Sequence, residues 1–268
     1  MAVTYRGYIF SAFLLSISCV LLNLVVIASD SWIVSTASAS GQNDDSLIAY
    51  GMFRGELILN TLITPSVSSL HMTCVAEVSS CAVSCKTSPE AREIEVRALS
   101  QGFRPSETCN ALTEVDESNP LANPPVISFA LYVCLLLVLF LMLAFGLVSA
   151  VLAITNATMN PTEPMFGLPG CLWANIITAV LGLTALITFG SYWAASGLGE
   201  HLAFSYVSNG LFEPDASLGY SYWLLIPAVI CSVSNIMLLH VRSYILSKDR
   251  TPEEIKVEAN SDGTIFLY

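Results

Sequence analysis

The stretch Val126–Ile154, VISFALYVCLLLVLFLMLAFGLVSAVLAI, contains no Asp, Glu, Lys or Arg. At about 1.5 Å of rise per helical residue, it is long enough to cross a hydrocarbon core of about 30 Å. Because an unpaired backbone amide in lipid costs several kcal/mol, we expect one continuous helix here. This stretch therefore favours a membrane-embedded fold over a soluble one.

The composition of the whole chain agrees with a membrane protein. Hydrophobic residues make up 54% of the chain and charged residues only 12%, and the mean hydropathy is +0.67. These values lie outside the range of ordinary soluble domains. The sequence predicts an all-α membrane protein built as a four-helix transmembrane bundle, with Pro227 bending the last helix. The predicted spans are 8–28, 126–154, 168–194 and 222–245.

The basic residues near the spans predict the orientation of the bundle. Arg6 precedes the first span, and the end of the fourth span is flanked by Arg242, Lys248 and Arg250. The segment 195–221, by contrast, contains no Lys or Arg. The positive-inside rule then places both termini in the cytosol. The cytosolic segments are 1–7, 155–167 and 246–268, and the extracellular loops are 29–125 and 195–221.

Four cysteines fall in the large extracellular loop: Cys74, Cys81, Cys85 and Cys109. An oxidising compartment predicts two disulfides among them, with three pairings left open. A zinc site using His71 with three of these thiols is an alternative that the extracellular position disfavours. The closest approach to a redox Cys-x-x-Cys pair is Cys81-Ala-Val-Ser-Cys85, which has one residue too many, so we expect no enzymatic role, metal or cofactor.

The large loop is acidic. Counting from Asp30 to Glu117 gives 12 acidic and 5 basic residues, and such a surface makes nucleic acid an implausible partner. Within it, Pro89–Phe103 has apolar residues at helical spacing and predicts a short amphipathic helix on the outer face of the membrane. The alternative is a solvated helix that only covers the disulfide region. The apolar positions are Ala91, Ile94, Ala98, Leu99 and Phe103.

Small residues and amides inside the spans predict close helix packing. Gly146 and Ala150 are four residues apart in the second span, as are Gly170 and Ala174 in the third, followed by Asn175. Such pairs let helices approach closely, and buried amides cross-link them, either within this bundle or to another copy. Because the spans lack ionisable residues at mid-membrane depth, a pump or pore is disfavoured.

An apolar patch follows the first span on the same side of the membrane. Trp32 lies just outside the span, and Tyr50-Gly-Met-Phe-Arg-Gly-Glu56 comes some twenty residues later. Alternation would place Tyr50, Met52 and Arg54 on one face of a strand, and Gly51 and Phe53 on the other. The order of Trp, then Gly-Met-Phe, then cysteines resembles the claudin and peripheral-myelin-protein superfamily. This resemblance implies a small extracellular β-sheet lying on the bundle.

Within that superfamily the chain resembles the clarins more closely. The resemblance rests on Tyr50–Gly55, Gly167-Leu-Pro-Gly-Cys-Leu-Trp-Ala-Asn175, Tyr220-Ser-Tyr-Trp223 and the terminal Phe266-Leu-Tyr268. It implies an organiser of plasma-membrane domains in sensory or epithelial cells that couples to the actin cytoskeleton through scaffold proteins. The large loop would then engage lateral or opposing membrane proteins.

The last residues of the chain predict a scaffold-binding element. A polar, acidic stretch is followed by Thr264-Ile-Phe-Leu-Tyr268, and a free carboxylate behind Phe266, Leu267 and Tyr268 suits strand addition to a PDZ domain. The alternative is that these residues fold back on the membrane or the bundle. The rival function is an auxiliary subunit that modulates a channel or transporter complex, as in some members of the wider superfamily.

Overall fold

The computed structural model describes residues 2–39, 46–60, 65–103, 109, 120–159, 166–202 and 212–249. The helices are α1 (Ala2–Ala28), α2 (Pro89–Ser100), α3 (Phe129–Thr158), α4 (Leu168–Ser196), α5 (Tyr220–Trp223) and α6 (Leu225–Asp249). The strands are β1 (Ile33–Ala39), β2 (Ser46–Tyr50), β3 (Arg54–Leu59), β4 (Ser66–Val75), β5 (Ser80–Ser84), β6 (Ile127–Ser128) and β7 (Phe212–Leu218).

Within the described residues, four helical stretches are long and apolar enough to cross a membrane: Gly7–Ala28, Phe129–Thr158, Leu168–Ser196 and Tyr220–Lys248. The prediction of a multi-pass membrane protein with four spans is confirmed. α3 begins at Phe129 rather than at Val126, because Ile127 and Ser128 pair with β5 before the helix starts. The second span is therefore connected directly to the sheet.

The spans form a ring in which each contacts two neighbours, in the order α1, α3, α4, α6 and back to α1. The fourth span is interrupted at Leu224, between α5 and α6. Pro227 explains the interruption, because its ring excludes the carbonyl four residues earlier, that of Trp223, and it has no N–H to donate.

At one end of the bundle the described residues form an antiparallel sheet of seven strands in the order β6-β5-β4-β3-β2-β1-β7. The expectation of a small sheet is wrong. β2 to β5 form a continuous meander, and β7, from the second loop, pairs with β1 from Ile33↔Leu218 to Ala39↔Phe212. The large loop and the second loop thus build one structure, with α2 packed on β4 and β5.

One hydrophobic core runs from the sheet into the bundle. It includes Trp32 and Met52 from the outer region together with Leu139, Met142 and Phe189 from the spans. Because apolar burial is continuous across this boundary, the same buried contacts stabilise both the sheet and the adjoining half of the bundle. The candidate site lies at this boundary.

Candidate functional site at the junction of sheet and bundle

Trp32 is the centre of the junction. Its side chain is fully buried, and its indole Nε1 donates a hydrogen bond of 2.6 Å to the carbonyl of Val26 in the last turn of α1. The ring meets Phe189 of α4 edge to face, with centroids 5.1 Å apart, and lies 6.1 Å from Tyr222 of α5. One aromatic side chain therefore ties the start of the sheet to three of the four spans.

Alternation predicts one strand through Tyr50, Met52 and Arg54, but the chain turns at 51–53 between two strands. β2 ends at Tyr50 and β3 begins at Arg54, and the Gly51 N–H donates to the Arg54 carbonyl at 2.8 Å. Tyr50, Gly51 and Met52 are all buried while Phe53 is 46% exposed, so the two faces do not alternate. The turn presses its buried residues onto the end of α1.

Gly51 is required by the close approach of two backbones. A Cβ at this position would lie 1.9 Å from the carbonyl oxygen of Ser29, a distance that no side chain tolerates. The Trp32 N–H donates to the Tyr50 carbonyl at 3.0 Å, and the Tyr132 hydroxyl of α3 donates to the Met52 carbonyl at 2.7 Å. The turn is thus held by hydrogen bonds from Trp32, which directly precedes β1, and from Tyr132 of the second span.

The opposite flank of the same segment is held by the start of the fourth span. The N–H of Gly219 donates to the Trp32 carbonyl at 2.8 Å, and the N–H of Ser221 donates to the Ser31 carbonyl at 3.2 Å. A Cβ on Gly219 would lie 2.0 Å from the Ser31 oxygen. The segment that follows α1 is therefore clamped on both sides by glycines, of which Gly51 belongs to the predicted patch and Gly219 was not predicted.

The structure shows which of the three possible disulfide pairings forms. Cys74 bonds to Cys81, its register partner across β4 and β5, and Cys85 bonds to Cys109. The predicted formation of two disulfides in the large loop is confirmed. Since all four sulfurs are consumed, they are not available as thiolates for the alternative zinc site with His71.

The predicted amphipathic helix is present as α2, capped at its start by the Ser88 hydroxyl, which accepts from the Ala91 N–H at 3.1 Å. Its buried face differs from the predicted one. Ile94 is 51% exposed, whereas Glu95 and Val96 are buried. Glu95 follows Ala91 by four residues and precedes Ala98 by three, so helical spacing already places it on the inner face.

Glu95 is a buried carboxyl in the region of the sheet, outside the spans. The Ser84 hydroxyl donates to its Oε2, the Lys86 backbone N–H donates to the same hydroxyl at 3.1 Å, and Lys86 itself is buried. Burial raises the pKa of Glu95, against the opposing influence of the Ser84 hydrogen bond and the Lys86 charge. The cluster joins α2 to the end of β5 next to the Cys85 disulfide.

A polar cluster lies inside the bundle, with one side chain from each span. The Asn235 Nδ2 donates to Ser16 Oγ at 2.8 Å and to Asn175 Oδ1 at 3.1 Å. The Asn175 Nδ2 donates to Ser149 Oγ at 2.7 Å, and the Ser16 and Ser149 hydroxyls lie 3.0 Å apart. Asn175 therefore cross-links helices of this bundle, and the cluster fixes the register of all four spans.

The predicted small-residue pairs have different surroundings. Gly146 is buried against Val20 of α1, and Ala150 and Ala174 are also buried in the bundle. Gly170 is only half-buried and lines a groove on the lipid side between α3 and α4.

The residues predicted to bind a PDZ domain, Phe266, Leu267 and Tyr268, lie outside the described residues.

Comparison with known proteins assigns no family. A scan against protein-family models and a search of curated proteins find no match to this chain. The function is therefore inferred from the residues themselves and from their geometry.

Proposed function

We propose that this protein is a claudin-like, clarin-type tetraspan organiser of the plasma membrane, with both termini cytosolic and no catalytic role. Its extracellular sheet engages lateral or opposing membrane proteins, and its tail couples the assembly to PDZ scaffolds and the actin cytoskeleton. Membrane lipid surrounds the bundle, and nucleic acid is not a partner.

The observation that carries the proposal is the double clamp on 29–32. The turn at Gly51 holds this segment on one side and the start of the fourth span at Gly219 holds it on the other. Because both clamps are backbone contacts reinforced by the buried Trp32, the sheet cannot tilt without disturbing the spans. A partner bound to the sheet is then held in a fixed position relative to the bilayer, as an organiser requires.

The surface of the outer region supports a protein partner of complementary charge. Glu56, Glu77, Glu90 and Glu93 are exposed, whereas Lys86 is buried. Arg97 forms an ion pair with Glu77 at 2.6 Å, so these two charges offset one another and Glu56, Glu90 and Glu93 supply the acidic surface. An acidic, rigid platform favours basic surfaces on neighbouring extracellular domains.

The cytosolic tail supplies the second half of the proposed coupling. Phe266 and Tyr268 are two residues apart and would point to the same face of an added strand, with the carboxylate captured by backbone amides of a PDZ domain. The intervening Leu267 would face the solvent side. Scaffold binding at the tail and partner binding at the sheet would together hold membrane domains in place.

Proximity labelling from the tail in polarised epithelial cells tests this function. Three chains are compared: the full chain, one ending at Ile265, and a control that lacks Asn260–Asp262 but keeps the terminus. Loss of PDZ scaffolds and actin regulators with the first truncation alone supports the organiser. If all three chains label the same channel or transporter complex, the auxiliary-subunit alternative replaces the proposal.

A further inference from the structure

A groove on the outside of the bundle has no role in the proposed organiser. It lies between α3 and α4 and has a volume of about 460 Å³, within the range of roughly 300–1,000 Å³ that is typical of small-molecule sites. Phe145, Val148 and Leu152 line it from α3, and Gly170, Trp173 and Ala174 line it from α4. Since these helices cross the membrane, the groove opens into hydrocarbon.

The groove occupies a single leaflet. Its lining on α4 runs from Pro169 to Ile177, about 12 Å at 1.5 Å per residue, and half of the hydrocarbon core is about 15 Å. It begins at the end of the bundle that is remote from the sheet, where α3 ends and α4 starts. Its length therefore matches a ligand that extends from the lipid surface to the membrane centre.

The lining chemistry selects an uncharged lipid. Neither α3 nor α4 contains Lys or Arg, so the groove offers no charge partner for a phosphate. Its floor is smooth, because Gly170 and Ala174 project little beyond the helix backbone. Trp173 forms a wall that is 64% exposed, and within the described part of the chain its indole N–H is not bonded to another residue.

We propose that this groove binds a sterol, with the ring system on the Gly170–Ala174 floor and against Trp173. A flat, rigid ring system loses little conformational freedom on binding, whereas an acyl chain would have to give up many rotamers. The sterol hydroxyl is the single uncharged polar group of such a ligand. It would lie at the same end of the groove as the start of α4, within reach of the indole N–H and interfacial water.

The experiment uses the full chain in phosphatidylcholine proteoliposomes with a photoreactive cholesterol and peptide mapping of the cross-links. Val148→Trp fills the groove with an indole, and Val151→Trp is the matched control, since Val151 is a lipid-facing valine of the same helix outside the lining. We expect wild-type cross-links in the α3 and α4 groove peptides that excess cholesterol competes away. Val148→Trp should lose this competable labelling, and Val151→Trp should retain it.

Four results would overturn the proposal. One is equal labelling of the two variants; another is wild-type cross-links spread evenly over all four spans. The third is groove labelling by a photoreactive phosphatidylcholine that cholesterol does not displace, which assigns the groove to acyl chains. Mapping on the wild-type chain decides the question even if Val148→Trp misfolds. A change from dimer to monomer in Val148→Trp, without any wild-type sterol cross-link, assigns the groove to a second copy.

Discussion

The indole of Trp32 donates a 2.6 Å hydrogen bond to the carbonyl of Val26, six residues earlier in the chain. The last carbonyls of a helix have no partner within it, so this bond satisfies one of them at the end of α1. We expect Trp32→Ala to lower the free energy of unfolding by about 3–5 kcal/mol and to reduce delivery to the cell surface. Thermal unfolding in detergent and surface biotinylation measure the two effects.

Phe53→Ala is the matched control for that substitution. Phe53 belongs to the same junction but is 46% exposed, so its removal should cost about 1 kcal/mol or less. Equal losses from both substitutions would show that burial at the junction does not decide its stability.

Gly51 should tolerate no side chain. Even Gly51→Ala places a Cβ 1.9 Å from the backbone oxygen of Ser29. Neither backbone segment can move away easily, because hydrogen bonds hold both in place. We expect retention in the endoplasmic reticulum and a lower unfolding temperature. Gly7→Ala is the control, because a Cβ there meets nothing within 4 Å; wild-type behaviour of Gly51→Ala would contradict the clamp.

The two disulfides should differ in their contributions to stability. Cys85–Cys109 closes a loop with a sequence separation of 24, and Cys74–Cys81 one with a separation of 7. On the chain-entropy account, their removal costs about 3 and about 2 kcal/mol respectively. Paired Cys→Ser variants, compared by chemical unfolding, test the order. A larger loss for the short loop would mean that native packing at β4 and β5 outweighs loop closure.

Glu95 should make stability depend on pH. Burial raises the pKa of its carboxyl above the ordinary 4.5, so the folded protein binds this proton more tightly than the unfolded chain does. Its contribution to stability is then fully present below about pH 4.5 and is lost as pH rises through the folded-state pKa. Glu95→Gln should flatten the fall in unfolding free energy that accompanies a rise in pH above about 4.5. Glu93→Gln, on the exposed side of the same helix, should leave it as in the wild type.

The amides of Asn175 and Asn235 should be energetically coupled. Their side chains are joined by a 3.1 Å hydrogen bond between α4 and α6 and are both buried. We expect each single Ala substitution to cost about 0.6–2 kcal/mol, and the double variant to cost less than the sum of the two. Strict additivity in a double-mutant cycle would show that the four-span cluster does not act as a unit.

Much of the membrane architecture can be read from the sequence, because charge-free stretches of spanning length admit few alternatives. The helix α2 can also be predicted from the sequence, because Ser88 and Pro89 mark its start and apolar residues recur at helical spacing. The cysteines predict that disulfides form, but their pairing depends on a register that places Cys74 opposite Cys81. Register is a property of two strands together and cannot be read from either one.

The extent of the sheet could not be predicted for the same reason. β4, Ser66–Val75, is rich in serine and lacks a strong apolar alternation, and β7 contains Pro214, which strands normally exclude except at an edge. β7 pairs with a strand that lies far away in the sequence. Alternation predicts a strand that continues beyond Tyr50, but the chain turns there, and the contact that requires Gly51 is with the Ser29 oxygen of a distant segment.

The pairing of β1 with β7 also determines when the protein can finish folding. The ribosome makes Ile33–Ala39 early, but one edge of this strand acquires its partner only after three of the spans and Phe212–Leu218 have been synthesised. During that interval one edge of β1 has no strand partner, and such an edge is a template for pairing with other chains. Substitutions that disrupt β7 in the second loop should therefore also impair folding of the sheet that the first loop forms.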